Sequence, residues 1–258
     1  MTLKILKLLL IFGASLFLFV GCSLFVMQRK LLYYPDNRDF FNCPQFNDYQ
    51  KLSHKGTRFY FKQNANKLIV FYHGNAGSAC DRAFLKTLLE ENKHSVIFVE
   101  YTGYSNDSRT PTKSLLEENV KHIMEFIQTQ DMEQVIVIGE SIGSAMACFH
   151  TTQMNVNKLL LLSPFETLVN LVQEKYPLFP VSLLLKDKYN NRKTLNSFSG
   201  KIKIVHGTDD QLIPIHHAQT LFQNLHTSKK NFIEIEGAGH NDLYSFNQTI
   251  QAIKDYLH

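Results

Sequence analysis

The chain has 258 residues, 44% of them hydrophobic, which suits one large core better than two small ones. Its net charge of +4 is mild, and part of it sits beside an apolar N-terminal run. No basic stripe interleaved with aromatics occurs, so a nucleic-acid partner is not expected. The cysteines are Cys22, Cys43, Cys80 and Cys148, with no C-x-x-C, which argues against a zinc knuckle or a dithiol redox motif. Cys43 and Cys80 could pair outside the cytoplasm, but unpaired thiols are the expectation, with Cys148 a small core residue.

At the N-terminus, Lys4 and Lys7 precede an uncharged run from Leu8 to Met27, and Arg29 and Lys30 follow it. Twenty residues at ~1.5 Å each span about 30 Å, the thickness of a bilayer core. Residues 1–30 therefore read as a membrane anchor. The same residues fit a second mode. A positive start, an apolar stretch and Phe19-Val20-Gly21-Cys22 resemble a bacterial lipoprotein signal, in which Cys22 is lipidated after cleavage. Phe19 stands where such signals usually carry Leu, and Leu24 to Met27 extend the run past Cys22, so the uncleaved span is preferred. Nearly balanced flanking charges barely orient it. Residues 31–258 form the second unit, expected outside the cytoplasm. Every motif lies in it, so it is expected to stand complete and active without the anchor.

Residues 31–53 read as an ordered lead-in, and from Thr57 strands and helices alternate. Short apolar runs at Arg58–Phe61, Lys67–Tyr72, Val96–Tyr101, Val135–Ile138, Lys158–Leu162, Ile202–His206 and Phe232–Ile235 predict strands. Helical spacing covers 81–92, Pro111–Gln128, Ile142–Thr151, His216–Leu225 and Leu243–Leu257. Continuous apolar strands separated by amphipathic helices predict an α/β fold, a mostly parallel sheet covered on both faces. The stretch 164–200 lacks a strand signal and reads as a small helical excursion beside the site.

The chemistry-bearing motifs fall at carboxyl ends of strands, where such sheets place their sites. Gly139-Glu140-Ser141-Ile142-Gly143 matches G-x-S-x-G between a strand and a helix, the setting of a nucleophile elbow, which makes Ser141 the candidate nucleophile. A serine hydroxyl needs a base and an acid to orient that base, in the chain order Ser, Asp or Glu, His. Gly237-Ala238-Gly239-His240 supplies the base, His240. Gly207-Thr208-Asp209-Asp210 supplies the acid. Asp210 is favoured by H-G-x-x-D-x-x-x-P over 206–214, with Asp209 and Glu166 as the other candidates. His73-Gly74-Asn75-Ala76-Gly77 closes an earlier strand, and its glycines let backbone amides approach an oxyanion. The hole is assigned to the amides of Asn75 and Ile142, with Ala76 as the fallback for the first. His73, His206, His216, His217 and His226 are read as structural or surface residues.

These four motifs together resemble the lidless, membrane-anchored α/β-hydrolase-domain proteins of the serine aminopeptidase-like branch. The lead-in Gln28-Arg29-Lys30-Leu31-Leu32-Tyr33-Tyr34-Pro35, the segment Tyr176-Pro177-Leu178-Phe179-Pro180 and Lys186-Asp187-Lys188-Tyr189 are also similar to theirs. The chain departs from the family at Tyr101-Thr102-Gly103-Tyr104-Ser105, where relatives often carry Arg after the first Tyr and Gly after the second. The resemblance implies an α/β-hydrolase fold and acyl transfer to Ser141 and then to water, with no metal or organic cofactor. The expected substrates are carboxylic esters or thioesters, lipid-like to suit the membrane setting. A serine peptidase, suggested by the branch name, and a non-catalytic binding protein on the same fold are the alternatives. An acidic group placed for a peptide amine would mark the first, and a broken triad the second.

Overall fold

The computed structural model describes residues 2–258; Met1, part of the expected 1–30 anchor, lies outside them. In chain order the strands are β1 (Tyr34–Pro35), β2 (Gln50–His54), β3 (Thr57–Lys62), β4 (Lys67–Tyr72), β5 (Ala76–Gly77), β6 (Ser95–Glu100), β7 (Gln134–Glu140), β8 (Lys158–Leu162), β9 (Lys201–Gly207) and β10 (Lys230–Ile235). The α-helices are α1 (Thr2–Leu32), α2 (Lys86–Glu90), α3 (Lys113–Gln128), α4 (Gly143–Thr151), α5 (Leu168–Lys175), α6 (Val181–Leu184), α7 (Asn191–Thr194), α8 (Ile215–Gln223) and α9 (Asn247–Leu257).

Eight strands form one sheet in the order β10-β9-β8-β7-β4-β6-β3-β2. β2 and β3 pair antiparallel at one end, β3 runs antiparallel to β6, and every other neighbour is parallel. The chain passes from β4 outward to β6, then returns to lay β7 on the other side of β4. That reversal opens a crevice beyond the carboxyl ends of β4 and β7, where open α/β sheets bind ligands.

Side-chain alternation with period two divides the core between the sheet's faces. Leu68, Val70 and Tyr72 of β4 and Ile97 and Val99 of β6 join one cluster, covered by Leu116, Val120 and Ile123 of α3 and Met146 of α4. Ile69, Phe71, Val96 and Phe98 join the other, covered by Leu85 and by Ile253 and Tyr256 of α9. Helix α3 begins where Thr112 Oγ1 accepts the Leu115 amide, so the helical pattern starts two residues later than its spacing suggests.

The lead-in holds more strand than the sequence reveals. β2 is too polar to show a period, and β1 is two residues long, pairing in parallel with β5. Cys43 and Cys80 are joined in a disulfide, with Cα atoms 6.1 Å apart, against the expectation of free thiols. The crosslink fastens the lead-in to the segment following β5, bringing together residues that are 37 apart in sequence. Cys22 and Cys148 remain free. Alkylation of the denatured protein should add two labels without reductant and four after reduction. Four labels without reductant would show that the pair is not joined.

Candidate active site

Ser141 sits between the last residue of β7 and the first turn of α4 with φ +54°, in the left-handed region that ordinary side chains avoid. The flanking glycines make this turn feasible. A Cβ on Gly143 would collide with the carbonyls of Tyr72 and His73, and one on Gly139 would press on Gly143 and Ala147. The Ser141 amide is tied to Leu162 O at 2.8 Å. Its side chain stands over the crevice, largely buried at 6% exposure.

His240 follows β10 and reaches back over the sheet. Its Nε2 is 3.0 Å from Ser141 Oγ, and its Nδ1 is 2.7 Å from Asp210 Oδ2. A carboxylate only accepts, so Nδ1 carries the donated proton, and in the neutral ring Nε2 presents its lone pair to the serine hydroxyl. Asp210 is itself fixed: Oδ1 accepts the amides of Leu212 and Ile213 at 2.9 and 2.8 Å. His206 Nε2 lies 3.3 Å from Oδ2 and donates to Ile213 O at 2.8 Å. Burial alone would push the Asp210 carboxyl up. Hydrogen bonds from His206 and His240, the His240 charge and the Ile213 amide outweigh burial and hold it well below the usual carboxylate range.

The three residues named from the motifs are thus brought together, and the two competing acids are not. Asp209 is exposed and contacts Thr208. Glu166 is buried, but its carboxylate faces Arg192 at 2.8 Å and Asn170 at 3.0 Å. His216 and His217 both meet Glu174, at 3.0 and 3.2 Å, and so link α8 to α5.

Asn75 and Ile142 border the same crevice. Among the described residues, neither of their amides donates to a protein acceptor. Three features hold the loop after β4. The His73 ring nitrogens face Gly74 O at 2.7 Å and Glu100 Oε1 at 3.2 Å. Tyr104 OH donates to Asn75 O at 2.9 Å. The β1–β5 pairing adds a bond from the Tyr34 amide to Asn75 Oδ1 at 3.3 Å. Tyr34 and Tyr104 were not singled out from sequence as site residues, though both lie in segments that carry the family resemblance or its departure.

Motif reading also missed a pair on the opposite flank. Arg82 grips Glu140 with both ends of its guanidinium, at 2.8 and 2.7 Å, and Tyr244 OH donates to the same carboxylate at 3.0 Å. Burial would raise the Glu140 carboxyl, but Arg82 outweighs it and leaves the group below its ordinary range. Glu140 is the variable residue before the serine, so only its partners reveal a role. The ion pair braces the segment after β5 against the last residue of β7 beside Ser141.

A cavity of about 520 Å³ opens over Ser141 and His240. Its walls are mainly apolar: Phe165, Leu168, Leu171, Val172, Phe179 and Val181 come from 164–200, which holds α5, α6 and α7. Another wall is α1 itself, through Gly21, Leu24, Phe25, Gln28, Leu31 and Leu32. Four of these six residues belong to 1–30 and two, Leu31 and Leu32, to the unit that follows.

The sequence profile of a family described as the alpha/beta hydrolase domain matches residues 65–249, and the chain belongs to that family. An uncharacterized protein of Mycobacterium tuberculosis is 26% identical over 254 residues, covering 92% of this chain and 90% of that protein. The human alpha/beta hydrolase domain-containing protein 17B is 25% identical over 198 residues, 75% of this chain and 67% of that one. The fold is similar to that of a Pyrococcus furiosus esterase, with a TM-score of 0.69 and 13% identity, covering 88% of this chain and 96% of that one. It is also similar to a monoacylglycerol lipase from Paleococcus ferrophilus, with a TM-score of 0.60 and 15% identity over 78% of this chain and 98% of the other.

If Asp210 is the orienting acid, Asp210→Asn should lower kcat by about 10⁴, because an amide favours the wrong histidine tautomer. Asp209→Asn and Glu166→Gln should stay close to wild type. Steady-state kinetics on a short-chain ester checks this, and a crippled Glu166→Gln with an active Asp210→Asn would reverse the assignment.

Proposed function

We propose that this protein is a serine hydrolase of acyl esters or thioesters, held at a membrane by its N-terminal helix. The observation that carries this reading is the continuous line from Asp210 through His240 to Ser141 at 2.7 and 3.0 Å, beneath a mainly apolar cavity. In the proposed reaction His240 Nε2 takes the Ser141 proton as Oγ attacks the acyl carbon. The amides of Asn75 and Ile142 receive the developing oxyanion, and His240 returns the proton to the leaving alcohol or thiol. Water, deprotonated by the same histidine, then attacks the acyl-Ser141 carbonyl. The carboxylic acid leaves and ionises in water, and the proton held by His240 returns to Ser141.

The lining favours acyl chains over peptides. Among the described residues, Glu140 is the one acidic side chain in the cavity wall, and Arg82 already holds it, so none is left for a peptide amine. A purely binding role is disfavoured by the hydrogen-bonded order of Ser141, His240 and Asp210. Helix α1 is 31 residues long and exposes its apolar side chains from Leu3 to Val20, which supports anchoring over burial in a core. The Cys43–Cys80 disulfide supports a catalytic domain outside the cytoplasm, since such bonds persist in oxidising compartments.

Replacing the nucleophile gives the direct test. Ser141→Ala should fold normally and lose about 10⁶ in kcat on acyl esters if the three groups act as a unit. Turnover close to wild type would end the proposal. The pH profile gives a second. With the Asp210 carboxyl held low, the acid limb should follow His240 alone, and kcat/KM should fall as that ring takes up a proton. A profile that stays flat on acidification for as long as the protein remains folded, with chemistry rate-limiting, would exclude a histidine base.

A further inference from the structure

Helix α1 does not merely lead up to the domain; its last third is built into the active-site cavity. Gly21, Leu24, Phe25, Gln28, Leu31 and Leu32 recur at helical spacing and face the cavity as one stripe. The contacts that hold this stripe are specific. Phe17 stacks on Phe179 with ring centroids 4.7 Å apart. Gly21 allows the close approach, since a Cβ there would lie 3.0 Å from the Phe179 ring. Gln28 Nε2 donates to Leu184 O at 3.3 Å, and Gln28 Oε1 accepts the Lys186 amide at 2.7 Å. Arg29 pairs with Asp187 at 3.0 Å, and the hydroxyls of Tyr33 and Tyr189 meet at 2.8 Å.

This attachment fixes the depth of the cavity. If the uncharged run Leu8–Met27 fills the bilayer core, then Gly21, Leu24 and Phe25 lie in the last two turns within hydrocarbon. The polar clamp of Gln28 and Arg29 follows at the level where headgroups begin. A second observation lies on the facing lobe. Leu178 and Leu183 are 79% and 78% exposed, on either side of Phe179, and neither lines the cavity. Apolar side chains bared on the lobe that grips the anchor suit immersion in a membrane surface.

From this we infer that the cavity is filled from the bilayer. Its substrate is a membrane-dissolved lipid ester whose long acyl chain lies in the apolar cavity walled by α1 and residues 176–185, with its carbonyl at Ser141. The inference rests on the hydrolase reading and adds to it the substrate's source and physical state. Phe179 and Gly21 line that cavity, while Leu178 and Leu183 hold its rim in the leaflet.

The test uses the full-length protein in phosphatidylcholine vesicles and two alkyl fluorophosphonates. In each, the Ser141 oxygen would displace fluoride at phosphorus as His240 takes the serine proton. The hexadecyl probe is dissolved in the bilayer and the butyl probe is supplied in water; Ser141→Ala controls for labelling elsewhere. The variant Leu178→Glu with Leu183→Glu should slow hexadecyl labelling by about tenfold or more, because it lifts the rim from the membrane, and leave butyl labelling within about twofold. Equal hexadecyl rates in variant and wild type would overturn the inference. So would an equal loss with both probes, which would mean that the leucines support the site rather than lipid access. A wild-type protein that takes up neither probe would instead refute the serine-hydrolase reading, and this inference with it.

Discussion

The site depends on one backbone constraint, the left-handed turn at Ser141. Strand β7 must end and helix α4 must begin within three residues, and a serine at φ +54° is what the turn leaves at its apex. Such a conformation costs on the order of 1–3 kcal/mol and persists only where its surroundings over-determine it. The surroundings here are explicit. Gly143 slides beneath the carbonyls that end β4, Gly139 admits the start of α4, and Leu162 O on β8 holds the serine amide. Because β4 and β7 are adjacent, the same turn sets the distance between Ser141 and the loop that carries Asn75.

Around that turn the molecule assembles parts from far along the chain. Asp210 and His240 come from the segments after β9 and β10, and the loop after β4 is steadied by Tyr104 and by the lead-in strand β1. The disulfide ties the same lead-in to the segment beyond β5. Helix α1 then completes the cavity against the 164–200 excursion. The long apolar helix and the candidate site therefore share a wall, and the orientation of one restricts the position of the other.

Sequence revealed the features whose cause is local. Gly139, Ser141 and Gly143 are demanded by a single turn, and the continuous apolar runs of β4 and β6 by burial on both faces of a sheet, so short windows disclose them. The choice of Asp210 over Asp209 also follows from local pattern, and two neighbouring backbone amides give it a physical reason. Features that join distant segments were not legible. Arg82 and Glu140 are 58 residues apart, and Gln28 and Lys186 are 158 apart; neither pair leaves a periodic trace. The Cys43–Cys80 pairing was misjudged for the same reason, since two cysteines do not disclose whether their backbones approach. That α1 also lines the cavity was not legible, because an apolar run announces its length and not the face it presents to a partner.

The central claim is that Ser141 carries the acyl group between two half-reactions. Rapid acid quenching of a short-chain p-nitrophenyl ester during turnover, followed by peptide mass spectrometry, observes that step directly. The account predicts an acyl increment on the peptide containing Ser141, absent from Ser141→Ala. An acyl group on a different side chain, or ester turnover that persists in Ser141→Ala, would contradict it.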